Sequence, residues 1–161
     1  MHTALLPVLS VSTEDRGDRI MKGKNINQRC REVIRACLNI VEEKGDTYIA
    51  IHKDDDVECV VIVSMLHTYP IISIVIADKI LFSKENESDM YRTANALNSE
   101  SLVGWHTLML TDSQQIYMYR QCLWIDAGIS RDHLLELLCN SIEEYKRGRK
   151  ALCDHDIPSK D

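Results

Sequence analysis

Residues 60–77 read VVIVSMLHTYPIISIVIA, and this stretch decides the fold class of the chain. Its 18 residues reach the minimum length of a membrane-spanning helix. However, β-branched Val and Ile dominate it, and such residues favour strands. Pro70 and the residues before it are typical of a turn, and the flanks are acidic rather than basic. The stretch therefore predicts two strands joined by a turn and no membrane span.

Apolar residues at a 3.6-residue period precede this stretch and predict a helix. We expect Asn25 to cap the start of this helix and Gly45 to end it after Lys44. Its apolar stripe consists of Ile26, Cys30, Val33, Ile34, Cys37, Leu38 and Val41.

Five strands and two further helices complete the predicted fold. The strands are expected at residues 47–52, 57–66, 71–81, 102–110 and 116–125. A short helix is predicted at 89–97 with Ser88 as its cap, and a final helix runs from the N-cap Ser130 to about Arg147, with Gly148 ending it. The order α-β-β-β-α-β-β-α predicts an α+β fold with one antiparallel five-stranded sheet, packed by helices.

The second and third predicted strands are apolar on both faces. A sheet with one face in water would alternate more cleanly between apolar and polar residues. A helix, a second subunit or a ligand is therefore expected on the second face. Because three helices are too few to cover both faces, the sequence predicts a homodimer.

Composition narrows the class of partner and the compartment. The 161 residues suit one domain, with a predicted arm at 1–23, the domain at 24–150 and a mobile tail at 151–161. A net charge of −6 disfavours binding to nucleic acid, which depends on clustered Lys and Arg. The six cysteines contain no C-x-x-C pair, which predicts free thiols in a reducing, cytoplasmic compartment.

Catalytic and metal-binding patterns are absent from the sequence. No two histidines lie within four residues of each other, no glycine-rich phosphate loop is present, and the acidic turn at 54–58 does not match an EF-hand. Pairing in the last hairpin places His106 opposite Tyr119 or Arg120, and Cys122 opposite Val103 or Gly104, which separates the thiol from the base. We therefore predict no catalytic residue, no metal site and no cofactor. The alternative is a small enzyme that uses dispersed residues in an unrecognised pocket.

Aromatic residues are concentrated in the last hairpin. Such side chains are favoured in protein interfaces, but cross-strand aromatic pairs also stabilise a sheet that has no partner. Both explanations stay open, and the candidate partner-binding residues are Trp105, Tyr117, Tyr119 and Trp124. A basic cluster near the end of the last helix is expected to complement the helix dipole, with a weak RNA or acidic-peptide contact as the alternative. It consists of Lys146, Arg147, Arg149 and Lys150.

A family resemblance rests on three features. These are TANALN at 93–98, LVGW at 102–105, and the hairpin followed by the helix that Ser130 begins. The pattern covers about residues 26–147 and resembles the YbjN family, which is similar in fold to bacterial type III secretion chaperones. The resemblance implies a compact, often dimeric bacterial domain that binds a protein segment on an apolar face. It implies no cofactor and transfers no catalytic residue, so we expect a non-catalytic protein-binding module, chaperone-like or regulatory.

Overall fold

The computed structural model describes residues 26–54, 57–66, 70–81, 84–110, 114–125 and 129–154. The predicted arm at 1–23 and most of the predicted tail lie outside these ranges. The described part contains three α-helices and six β-strands, with a 3-10 turn at Lys84–Asn86. In chain order they are α1 Ile26–Cys37, β1 Ile40–Lys44, β2 Thr47–Lys53, β3 Glu58–Leu66, β4 Ile71–Lys79, α2 Glu87–Glu100, β5 Gly104–Leu110, β6 Gln115–Trp124 and α3 Arg131–Cys153.

The strands form one antiparallel sheet in the order β1-β2-β3-β4-β6-β5. This confirms the predicted α+β class and the single antiparallel sheet. The sheet has six strands rather than the predicted five, because the end of the predicted first helix is strand β1. Gly45 does not end a helix but lies in the tight turn between β1 and β2. Its φ of 60° is a left-handed conformation that glycine adopts without strain.

The hydrophobic core lies between one face of the sheet and the helices. The central strands contribute fully buried Val61, Val63 and Ile76, and α1 contributes Ile34. Helix α3 packs on β4 and β6, α2 packs on β5, and α1 packs on α3. All three helices therefore lie on the same side of the sheet.

The last helix begins where predicted but ends later. The Ser130 side chain accepts a hydrogen bond from the His133 backbone N–H at 3.1 Å, which confirms the N-cap. The helix continues past Arg147 to Cys153, so Gly148 lies inside it and is buried. A Cβ atom at Gly148 would lie 2.7 Å from His106 Nδ1. Glycine is therefore needed there because the helix passes close to the last hairpin.

Candidate functional site

The face of the sheet that points away from the helices is rich in exposed apolar side chains. We call it the open face and define it by the alternate residues of β2 to β6 that do not enter the core. Its most exposed apolar members range from 37% exposed (Ile51) to 65% exposed (Trp124). They are Ile51, Val60, Leu66, Trp105, Met109 and Trp124. Contiguous exposed apolar surface of this kind is typical of interaction sites.

Cross-strand pairing places three of these residues, Ile51, Val60 and Trp105, in two apolar rows. One row crosses the sheet from Ile49 through Ile62, Val75 and Arg120 to Trp105. A neighbouring row contains Ile51, Val60, Ala77, Met118 and Thr107. Together they form an apolar band that contains a single charged residue, Arg120.

A shallow hollow lies in the open face beside the second row, near the end of β2 and the start of β3. It has a volume of about 330 Å³ and is lined by Ile51, Val60, Ala77 and Ile116, with Glu58 and Lys79 among its neighbours. Its apolar floor can accept an aliphatic or aromatic side chain. The hollow therefore adds shape to an otherwise flat surface.

The four candidate aromatic residues fall on opposite faces of the sheet. Trp105 and Trp124 lie on the open face and are 44% and 65% exposed. Tyr117 and Tyr119 are fully buried on the helix-covered face. Side chains alternate along a strand, so Trp124 cannot share a face with the two tyrosines of β6. Of the four candidates, only the two tryptophans are therefore accessible to a partner, and the tyrosines belong to the core.

The buried tyrosines belong to a polar network beneath α3. Tyr117 Oη lies 2.6 Å from His106 Nδ1, and Tyr119 Oη donates to Gln121 Oε1 at 3.2 Å. Ser141 Oγ also donates to Gln121 Oε1, at 2.9 Å. Burial lowers the pKa of His106 and raises the pKa of Tyr117, so at neutral pH both rings are uncharged. The Tyr117 hydroxyl donates to the Tyr145 backbone carbonyl at 3.5 Å. The network joins the hairpin to α3 and faces the core, away from the open face.

The pairing predicted for the last hairpin is confirmed at the register His106 with Tyr119. His106 points into the core, whereas Cys122 occupies an exposed position on the other face of β6. The thiol and the imidazole are therefore on opposite sides of the sheet, and these two residues do not form a dyad.

The open face carries a cation–aromatic pair that no sequence motif indicates. The Arg120 guanidinium carbon lies 5.5 Å from the centre of the Trp105 ring. The two residues are direct cross-strand neighbours. A guanidinium over an indole ring is attracted by the negative ring face. The pair fixes the position of a charge on the apolar band.

Both edges of the sheet carry features that hinder pairing with another strand. At the β5 edge, Asn98 Nδ2 donates to the His106 carbonyl at 2.9 Å, and the His106 N–H donates to Asn98 Oδ1 at 2.5 Å. The β1 edge has an irregularity between Ile40 and Glu42 and is rich in charged residues. Charges, bulges and covering elements protect sheet edges from further strands. The open face is therefore a better candidate for an interaction surface than either edge.

The predicted basic cluster lies within α3 rather than at its end, and ion pairs neutralise most of it. Lys146 pairs with Asp54, Arg147 with Glu100 and Glu144, and Arg149 with Asp78. These pairs leave little free positive charge for a phosphate backbone.

A groove between α1 and the start of α3 is the place where an enzyme site would be sought. It has a volume of about 420 Å³, and its lining includes Arg29, Glu32, Cys30 and Ser130. Burial raises the pKa of the Cys30 thiol, which disfavours the reactive thiolate. The Ser130 hydroxyl oxygen already accepts the helix-capping hydrogen bond. Neither nucleophile is activated by this geometry.

Two further properties concern the described residues alone. They contain no group of three or more His, Cys, Asp or Glu side chains that could hold a metal ion. None of their helices has the length and apolar character needed to cross a membrane.

Comparison with known proteins bears on the fold. No protein-family model matches the chain, and no curated protein matches it by sequence. The crystal structure of YbjN from E. coli, described as a candidate transcription regulator, is similar with a TM-score of 0.56. The match covers 75% of this chain and 86% of that chain, at 12% sequence identity. The likeness to YbjN that the sequence predicts is thus confirmed at the level of the fold.

Proposed function

We propose that the protein is a non-catalytic protein-binding module, chaperone-like or regulatory, that acts in the reducing cytoplasm. Its open face binds a segment of a partner protein, and Trp105 and Trp124 are the main anchors. The observation that carries the proposal is the apolar band on the open face, which includes the exposed Trp105, together with the exposed Trp124 elsewhere on the same face.

The two tryptophans are the favoured anchors because of the apolar area that an indole can bury. An indole buries a large apolar area at little conformational cost, and tryptophan is enriched among the residues that dominate binding energy. The neighbouring Ile and Val side chains have less apolar area than an indole, so they mainly supply shape and exclude water. Removal of either indole should therefore weaken binding far more than removal of an aliphatic neighbour.

The face suits a partner segment better than either sheet edge does. Addition of a strand requires a row of free backbone groups, and Asn98 occupies those of His106 in the middle of β5. A segment that lies on the face needs no such groups, because apolar burial supplies the energy. This also agrees with the low net charge of the band.

The test uses partners recovered from the native host by affinity capture and mass spectrometry. Trp105→Ala and Trp124→Ala should each weaken binding by about 2 kcal/mol or more, which is roughly 30-fold. Tyr91→Ala is the matched control, because Tyr91 is an aromatic residue of α2 with 41% exposure, away from the open face. Circular dichroism checks that each variant folds. Full affinity in both tryptophan variants would contradict the proposal.

The homodimer stays a prediction, and a second copy bound to the open face would compete there with the partner segment. A dimer would have twice the chain mass of 18.5 kDa in light scattering at high micromolar concentration. A mass near that of one chain would show that the free protein keeps the face uncovered.

A regulatory role is compatible with the description of YbjN as a candidate transcription regulator. For this chain we place that role in protein contacts rather than in DNA contacts, because the net charge is −6 and Lys146, Arg147 and Arg149 are in ion pairs. Salt-dependent binding to random duplex DNA at physiological ionic strength would contradict this part of the proposal.

A further inference from the structure

We infer that the segment bound by the open face carries a carboxylate between apolar residues, and that Arg120 receives this carboxylate. The inference rests on the proposed function, because it specifies the chemistry of the segment that the open face binds. It depends on the position and the pairing of Arg120.

Arg120 is an exposed cation surrounded by apolar cross-strand neighbours. Its register partners are Val75 on β4 and Trp105 on β5. Met118 and Cys122 are the flanking residues of β6 on the same face. Any segment that covers the apolar band must therefore also cover this guanidinium.

Arg120 makes no ion pair with any residue that the structure describes, in contrast to most other arginines. Five described arginines do pair with a carboxylate, and these are Arg31, Arg35, Arg92, Arg147 and Arg149. The nearest acidic residues in register are already paired, Glu58 of the open face with Lys53 and Glu42 of the neighbouring edge strand β1 with Lys44. The face itself thus supplies no free carboxylate within its described part.

Covering an unpaired charge is costly, and this cost selects the ligand. A wholly apolar segment would remove water from the guanidinium without forming a hydrogen bond or an ion pair with it. A carboxylate would form charge-assisted hydrogen bonds, which guanidinium can make in pairs while its flat face stays on the indole. A basic segment would add repulsion. The open face should therefore select apolar segments that contain Asp or Glu.

The same reasoning disfavours a second copy as the occupant. A face-to-face dimer would cover two Arg120 side chains, and its acidic residues on that face are engaged with lysines. A partner with its own carboxylate avoids this cost. We therefore assign the face to an acidic, apolar segment of another protein.

The experiment is a selection from a phage library of random 12-residue peptides on the immobilised full chain. The wild-type protein should enrich peptides with Asp or Glu between apolar residues. Arg120→Met should still select apolar peptides but lose the acidic preference. Lys79→Met is the matched control, because it removes an exposed cation from the end of the same face, and the preference should remain. Circular dichroism and a melting curve establish that all variants fold.

Affinities of the best synthetic peptide complete the test. Arg120→Met, or replacement of the peptide carboxylate by its amide, should each reduce affinity about 10-fold, and the combined change should cost little more than either alone. Equal acidic enrichment with Arg120→Met, or none with the wild type, would overturn the inference while tryptophan-dependent binders still support the proposed function. A selection with no tryptophan-dependent binder would overturn both.

Fluorescence decides whether the face is already occupied. The only two tryptophans of the chain are Trp105 and Trp124, so intrinsic emission reports on the open face alone. Acrylamide should quench both freely at every protein concentration. Protection that grows with concentration would identify a second copy. Protection independent of concentration would identify a segment of the same chain as the occupant, and either result would overturn the inference.

Discussion

Replacement of Gly148 by Ala should destabilise the protein, although alanine is the better helix former. Gly148 lies inside α3 and is buried against the last hairpin. An added Cβ would touch Tyr117 Oη and would lie 2.7 Å from His106 Nδ1 and 2.9 Å from His106 Cε1. These two side chains are held together by a hydrogen bond of 2.6 Å inside the core. Neither can move without breaking that bond or moving the helix.

The magnitude follows from three terms of known sign. Helix propensity alone would stabilise the variant by about 1 kcal/mol. Overpacking of a filled core costs about 1–3 kcal/mol, and disturbance of one buried hydrogen bond adds about 1 kcal/mol. The expected net loss is about 2 kcal/mol in the free energy of unfolding.

Urea unfolding followed by circular dichroism measures this loss. Asn140→Ala is the control in the same helix, since Asn140 is exposed and its replacement should stabilise by roughly 0.5 kcal/mol. Tyr117→Phe removes the oxygen that the new Cβ meets first. Its own cost should therefore be smaller in the Gly148→Ala background than in the wild type. Equal or greater stability of Gly148→Ala would refute the close contact between α3 and the hairpin.

Three further predictions concern single positions. The free energy of unfolding should fall as the pH drops below about 6.5, because burial lowers the pKa of His106 in the folded state and the unfolded chain takes up the proton first. The decline stops below the folded-state pKa. Urea titrations at several pH values should show a smaller decline for His106→Gln. Ser130→Ala should cost about 1 kcal/mol and Ser130→Asp much less, since only Asp keeps the cap acceptor for the His133 N–H; denaturant midpoints measure both. Gly45→Ala should cost about 1 kcal/mol through its φ of 60° alone, and thermal unfolding should show Gly45→Asn to be milder.

Local patterns predicted most of the sheet. The β-branched runs on either side of Pro70 became β3 and β4, and the short turn between β5 and β6 fixed their register to within one residue. Ser130 was recognised because an N-cap depends only on the next three residues. Such features are determined by neighbours in sequence, so they can be predicted from the sequence.

Strand β1 was missed because its signal competed with a helix pattern. Leu38 and Val41 extend the apolar stripe of α1, yet Val41 is 56% exposed in the structure. The turn at Gly45 brings Lys44 opposite Thr47, and the new strand pairs with β2. Tertiary pairing thus outweighed helical periodicity over five residues.

The burial of Tyr117 and Tyr119 has a different origin. Alternation along β6 already separates Tyr117 and Tyr119 from Trp124, so this signal was present in the sequence. The side of Trp105 depends on the hairpin register, and a slip of one residue would have moved it to the other face. The need for glycine at position 148 and the position of Arg120 over Trp105 depend on contacts with other elements. No local pattern contains these contacts.

Asn98 connects the sequence features of the YbjN resemblance to the candidate site. Asn98 ends the stretch 93–98, and its side chain holds both backbone groups of His106, the residue that follows the stretch 102–105. Among the described strands, β5 lies at the edge of the sheet and pairs with β6 alone, so the Asn98 hydrogen bonds give it a second attachment. Trp105 directly precedes His106 and points to the opposite face. Fixing the backbone there therefore also fixes the indole under Arg120, which reduces the conformational entropy that binding would otherwise cost.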